Sequence, residues 1–212
     1  MMKRKRIVCF DFETTGLDFI NDQPIQYAAH SVEADGTLRT IMGFVTYDGK
    51  LSETVKTLTD IDDGILRMHG EPYEVAMERL IQFIGINKNS PEDNVILVGH
   101  NMLNFDIHFL DMACAKLGYD CINPKYYWDT AGCYKAHKLS LVKSNKETAA
   151  EYHKRALDTY KPGLKFKLPV VCEAYNIPFK EIHRADADVD VTLKVFLQQA
   201  KEFNNHFLEL LN

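Results

Sequence analysis

Apolar runs and their spacing divide the chain into strands and helices. Residues 7–13, IVCFDFE, open with four consecutive apolar positions, as expected of a strand covered on both faces. Residues 25–32 and 38–47 read as two more strands. The turn Ala34-Asp35-Gly36 between them predicts an antiparallel meander with the first. Pro72 opens a helix in which Tyr73, Ala76, Met77, Leu80, Ile81 and Ile84 form one apolar stripe, ending at Gly85. The run NVILVG at 94–99 is a fourth strand, and a helix follows over about residues 103–117. Tyr127-Trp128-Asp129 is a short strand that leads into another helix. Residues 140–160 are polar and helical in part, Pro169 opens a short helix ending near Tyr175, and a last helix spans about 186–211. Strands first, then alternating helix and strand, then helices: the order predicts an α/β layer fold with a mixed sheet.

Several acids interrupt this pattern. Asp11 and Glu13 stand two apart on the first strand, so both carboxylates share one face. Like charges that close repel unless a cation lies between them or one stays protonated. Asp106 falls on the stripe Leu103, Ile107, Leu110, Ala113, Cys114, Leu117. Burying it without a partner costs several kcal/mol, so either a nearby loop donates to it or it belongs to a site. The stretch HRADADVDVT, residues 183–192, carries Asp186, Asp188 and Asp190. The stripe Val189, Leu193, Phe196, Leu197, Ala200 leaves all three on its flanks, so periodicity does not choose among them. Each is also a favourable acid at a helix N-terminus. Taken together, carboxylates without thiolates describe a site for hard cations, Mg²⁺ or Mn²⁺. Two such ions about 4 Å apart suit phosphodiester cleavage by an activated water, and a histidine just before the last helix suits the general base.

The bulk numbers narrow the classes. A length of 212 residues, 46% hydrophobic and 26% charged, predicts a single domain over 1–212 with a real core. No run reaches the length of a membrane helix, and the apolar stretch after MMKRKR stops after four residues, too short for a signal peptide. Five scattered cysteines without a C-x-x-C pair argue for a reducing cytoplasm and against a zinc site. The net charge of −5 hides a segregation: residues 135–167 hold nine Lys or Arg against three acids, leaving −11 elsewhere. A basic flank beside an acidic site fits a phosphate-bearing partner; a solvated helical face is the plainer alternative.

These residues resemble the DnaQ-like, or DEDDh, 3′→5′ exonucleases of the ribonuclease-H-like superfamily. D-x-E-T-T-G stands as Asp11-Phe12-Glu13-Thr14-Thr15-Gly16, followed by Leu17; H-N and F-D stand as His100-Asn101 and Phe105-Asp106; H-x-A-x-x-D runs from His183 to Asp188. Residues 58–70 are similar to the family's loop before its first helix, and Trp128-Asp129-Thr130 to its fifth strand and turn. Three residues separate H-N from F-D where many members have two, a form similar to the proofreading domains of B-type polymerases. Those domains use a tyrosine in the third motif; Tyr175 has no acid four residues later, so the histidine type fits. The basic segment 138–161 is longer than a minimal member needs; a lid, a substrate flank and a partner surface are the roles open to it.

The resemblance implies a five-stranded mixed sheet flanked by helices and two divalent ions, Mg²⁺ or Mn²⁺. It implies Asp11, Glu13, Asp106 and Asp188 as metal ligands, choosing Asp188 over its neighbours, and His183 as general base. It implies Thr14, Thr15, Gly16, Leu17 and Phe105 around the terminal nucleotide, His100 and Asn101 in support, and Ile61 as an apolar base-packing residue. The expected reaction is release of nucleoside 5′-monophosphates from the 3′ end of single-stranded nucleic acid, DNA before RNA because of the TTGL form. A polymerase or another replication or repair protein is the implied partner. Two alternatives stand beside it: an oligoribonuclease-type or small-nucleotide phosphoesterase, and a non-catalytic nucleic-acid or polymerase-binding module on the same fold.

Overall fold

The computed structural model describes residues 6–86, 95–120, 126–179 and 184–202. Its strands are β1 (Arg6–Thr14), β2 (Pro24–Val32), β3 (Leu38–Val45), β4 (Gly70–Glu71), β5 (Val95–Gly99) and β6 (Tyr127–Asp129). They form one sheet in the order β4-β3-β2-β1-β5-β6. β1, β2 and β3 pair antiparallel, as the meander predicts, whereas β5 lies parallel to β1 and β6 parallel to β5. The sheet therefore has six strands and not five. The added one, β4, is two residues long and pairs parallel with the end of β3, too short to leave a period in the sequence.

Residues 53–69 also depart from expectation. Where a loop was predicted from residue 58, α1 (Glu53–Thr59) and α2 (Asp63–His69) stand. Each is only seven residues long and is held by its cap: Ser52 Oγ accepts the Val55 N–H (3.2 Å) and Asp62 accepts that of Ile65 (2.8 Å). α3 (Tyr73–Ile84) ends where the stripe ends, with Gly85 at φ 92°. The next helix begins later than expected. A 3₁₀ turn, Met102–Asn104, precedes α4 (Asp106–Leu117). Then come α5 (Thr130–Lys138), α6 (Ala149–Asp158), α7 (Leu168–Ala174) and α8 (Ala185–Glu202); the predicted remainder of the last helix lies outside the described residues.

Two cores sandwich the sheet. Val8, Phe10 and Phe12 of β1 point toward α3 and α4 and pack with Met77, Leu80, Phe109 and Leu110. Cys9 points the other way and packs with Ala28, Val98, Trp128 and, on α8, Val189, Leu193 and Phe196. Burial on both faces explains the unbroken apolar run at 7–10. By the same alternation, Asp11 and Glu13 emerge on the α8 face, where β1 leaves the core. Leu197, expected in the α8 stripe, is 40% exposed; the buried position there is Gln199, which accepts from Trp128 Nε1 (3.0 Å) and donates to the Thr130 carbonyl (2.9 Å).

The polar segment 138–161 has an apolar underside. α6 is closed by a capping box between Thr148 and Glu151 and buries His153 against Trp128, ring centroids 4.8 Å apart at 80°. Gly132 lets α5 come this close: a Cβ there would lie 2.7 Å from His153 Cβ and 3.0 Å from its carbonyl oxygen. Gly132→Ala is therefore expected to destabilise the fold by about 1–3 kcal/mol through overpacking, read as a lower urea midpoint at unchanged m-value.

Candidate active site

Four carboxylates gather where β1 ends. Asp11, Glu13 and Asp188 each offer an oxygen within 4.8 Å of the others. Asp106, 3% exposed at the first turn of α4, lines the same cavity, and its Oδ1 accepts the Phe12 N–H (3.1 Å). That bond ties α4 to the strand between the two other acids. Asp188 faces inward from α8, while Asp186 and Asp190 are spent on Arg184 (3.2 Å) and Lys194 (2.6 Å) at the surface. The helical period could not make this distinction, because all three lie on flanks of the stripe.

The electrostatics follow from that crowding. Burial pushes the Asp11 carboxyl well above the usual range, and the charges of Asp106, Glu13 and Asp188 add to the shift. Glu13 rises to about 8 through burial, then through Asp188 and Asp106. Asp106 rises to about 7 by burial, against the Phe12 N–H that favours its charge. Asp188 also rises to about 7, by burial first and Asp186 second. Its Oδ1 is buried with no hydrogen-bond partner. A set of hard oxygen donors that strains to hold protons, with one orphaned oxygen among them, fits a divalent cation of the Mg²⁺ or Mn²⁺ kind.

Two cavities meet at this point. The first, about 360 Å³, is lined by the four acids, His100, Asn101, Phe105 and a wall from Phe166 to Pro169 with Phe179. The second, about 380 Å³, runs from Glu13 along Thr14, Thr15, Gly16 and Leu17 to Val55 and Leu58 of α1. Phe105 borders both. The loop after β1 is stapled by its own side chains. The Thr14 hydroxyl donates to the Gly16 carbonyl (2.6 Å) and that of Thr15 to Asp22 (2.8 Å), so Leu17 stands 83% exposed over the second cavity. Ile61 is a correction: it is 2% exposed, packs with Ile25, Leu51 and Leu66, and lines neither cavity. Val55 and Leu58 of α1 line the second cavity. His183 lies outside the described residues.

Residues 8–196 match the model of the RNase_T family, described as Exonuclease. The chain belongs to this exonuclease family. It is 31% identical over 210 residues to a DNA polymerase III PolC-type of Staphylococcus haemolyticus, covering 97% of this chain and 12% of that one. The corresponding enzyme of Caldanaerobacter subterraneus is 26% identical over 195 residues, covering 92% of this chain and 12% of that one. The chain thus spans about an eighth of the length of these polymerases. Its fold is that of Escherichia coli exonuclease I, solved in complex with a dT13 oligonucleotide: TM-score 0.70 at 18% identity, over 97% of this chain and 43% of that one. Among the described residues, no helix is long and apolar enough to cross a membrane.

The exonuclease-family site rests on a buried residue that the sequence did not single out, Asp129. Its carboxylate accepts the N–H groups of Asn101 (3.0 Å), Leu103 (3.0 Å) and Gly132 (2.9 Å), holding the H-N loop ahead of Asp106. Burial raises its pKa and these donors oppose the rise. An acid ending an apolar strand just before a helix was the available signal, since that is an N-cap position. Asp129→Ala leaves two buried N–H groups and one half-buried one unpaired and is expected to cost about 3 kcal/mol of unfolding free energy. The check is chemical denaturation of both proteins in EDTA.

His100 uses both ring nitrogens within the protein. Nε2 lies 3.0 Å from the Phe166 carbonyl and Nδ1 lies 2.9 Å from Thr130 Oγ1. Burial pushes its pKa down to about 4, so the ring is neutral. A carbonyl only accepts, which places the proton on Nε2, while Nδ1 and the Gly99 carbonyl (3.1 Å) both face the single proton of the Thr130 hydroxyl. Asn101 holds a left-handed conformation (φ 60°), and its side-chain oxygen accepts from Asn104 Nδ2 (3.0 Å).

Proposed function

We propose that the chain is a metal-dependent 3′→5′ exonuclease acting on single-stranded DNA and releasing nucleoside 5′-monophosphates. The observation that carries this reading is the convergence of Asp11, Glu13 and Asp188 within 4.8 Å, with Asp106 in the same cavity. Asp11, Glu13, Asp106 and Asp188 would hold two divalent ions, Mg²⁺ or Mn²⁺. When bound, the ions would supply charge neutralisation and Lewis acidity at a phosphodiester. The chain's own groups do the rest. Leu17 and Phe105 offer apolar surfaces to the terminal base, and the loop of Thr14 to Gly16 bounds the space for its sugar. His183, five positions before Asp188 in the motif, is assigned the proton of the attacking water. The 3′-oxygen of the penultimate nucleotide leaves. The oligonucleotide complex of exonuclease I and the polymerase context of the PolC-type relatives support single-stranded DNA as substrate and a replication or repair protein as partner.

The test is incubation of the purified protein with a 5′-labelled single-stranded DNA oligomer in Mg²⁺, in Mn²⁺ and in EDTA. A descending ladder in metal, abolished by EDTA, is the expected result. An intact DNA oligomer beside a degraded RNA oligomer would replace DNA by RNA. Both strands intact in both metals would sink the nuclease reading in favour of a binding module.

A further inference from the structure

The basic segment resolves into groups that differ in what their charge can reach. Lys154 and Arg155 are paired with Asp158 (2.5 Å) and Glu147 (2.6 Å). Lys135 is buried, donates to the Leu157 carbonyl (2.6 Å) and lies 4.6 Å from the centre of the Phe166 ring. Lys167 differs from these. It is exposed, lines the acidic cavity, and makes no ion pair among the described residues. It is the only lysine or arginine among the residues that line either cavity.

Its backbone is fixed from two sides. The connection 159–167 starts from the end of α6, where Lys135 holds Leu157, and ends at Phe166, whose carbonyl takes the His100 proton (3.0 Å). Phe166 also covers Lys135 with its ring. Lys167 thus follows directly on a residue with a bonded carbonyl, and it lines a cavity that four carboxylates also line. An acidic cavity repels a polyanion, and a cation placed at its edge offsets that repulsion along the path a strand must take.

We infer that Lys167 is a phosphate contact: it receives the backbone of the nucleic-acid strand as it enters the acidic cavity, and His100 is the positioning residue that sets it there. This rests on the nuclease reading above. It also assigns His100 to the strap that carries Lys167 and not to the nucleotide, since neither ring nitrogen is left over.

The experiment measures steady-state cleavage of a single-stranded DNA oligomer in Mg²⁺ at several salt concentrations, for the wild type, Lys167→Gln, Lys146→Gln and His100→Phe. Lys146 is exposed in the same basic segment but lines neither cavity, so its variant removes the same charge from a different place. Lys167→Gln is expected to raise KM roughly fivefold and to lower the slope of log KM against log salt by about 0.7, the share of one phosphate contact on a single strand. Lys146→Gln is expected to match the wild type in both. His100→Phe is expected to move KM and slope in the direction of Lys167→Gln, with little further change when the two are combined. Equal effects of Lys167→Gln and Lys146→Gln would overturn the contact, since only net charge would then be at work. A slope unchanged in Lys167→Gln would overturn it too, with cleavage by the wild type leaving the nuclease reading intact. A wild type that cleaves no strand overturns that reading, and this contact with it.

Discussion

Asp11→Asn is expected to lower nuclease activity by about a thousandfold and to make the metal-free protein more stable. The first effect follows from losing a ligand charge at the centre of the acid group. Charge stabilisation at such a site supplies several kcal/mol to the transition state, and each 1.36 kcal/mol is a decade in rate. The second follows from the same crowding. Asp11 is pushed up by burial and by the charges of three neighbouring carboxylates, Asp106, Glu13 and Asp188, which contest the same space. Asparagine matches the protonated acid in shape and removes one member of that contest. In EDTA at pH 8 the variant should therefore melt several degrees above the wild type. Opposite signs in the two measurements mark a residue kept for chemistry against stability. An active variant would remove Asp11 from the site; an unchanged melting temperature would mean that the repulsion is already relieved without metal.

Between pH 6.5 and pH 8 the metal-free protein should lose stability, and Mn²⁺ should restore most of it. Glu13, folded, titrates at about 8, and Asp106 and Asp188 at about 7, against about 4 in an unfolded chain. The folded state thus binds more protons over this interval, so unfolding free energy falls as pH rises. The benefit is complete below the unfolded value near 4 and disappears as pH passes through 7 and 8. His100 and His153, held down to about 4 and about 3 by burial, act in the other direction, mainly below their unfolded value near 6.5. Starting at pH 6.5 keeps most of that opposing effect out of the interval. The summed loss is on the order of 3 kcal/mol, a fall of about 10 °C in melting temperature. A cation at a hundredfold excess over its dissociation constant returns about 2.7 kcal/mol. Thermal melts in EDTA and in Mn²⁺ at the two pH values check both halves. A flat profile in EDTA would mean that the four acids are not crowded in solution.

Long, regular features were legible in the sequence. The stripe from Tyr73 to Ile84 and its stop at Gly85 match α3. Asp106, out of place on an apolar stripe, is buried and bonded to β1. Short features were not legible. α1 and α2 are held by single caps, and β4 by two residues of pairing, which leave no period to read. The choice of Asp188 came from motif likeness, because its inward turn depends on how α8 rolls over Cys9 and Ala28, a tertiary fact. Asp129 and His153 were missed for a related reason. Apart from the helix cap that Asp129 gives Gly132, their partners are backbone groups 24 to 28 residues away, and side-chain pattern says nothing of those.

β1 sits in the middle of the sheet, with β2 on one side, β5 on the other and α8 across its face. This placement sets a timetable for a chain being made. At about 5–20 residues per second, β1 leaves the ribosome roughly 10–35 s before the segment carrying Asp188. During that interval Asp11 and Glu13 belong to a strand whose second core face has no cover, since Val189, Leu193 and Phe196 are still to come. The meander of β1 to β3 can pair locally in that time, and α3 and α4 can close one side. The acids come together only with the last helix. The nascent protein is therefore expected to be inert toward nucleic acid until synthesis has passed α8.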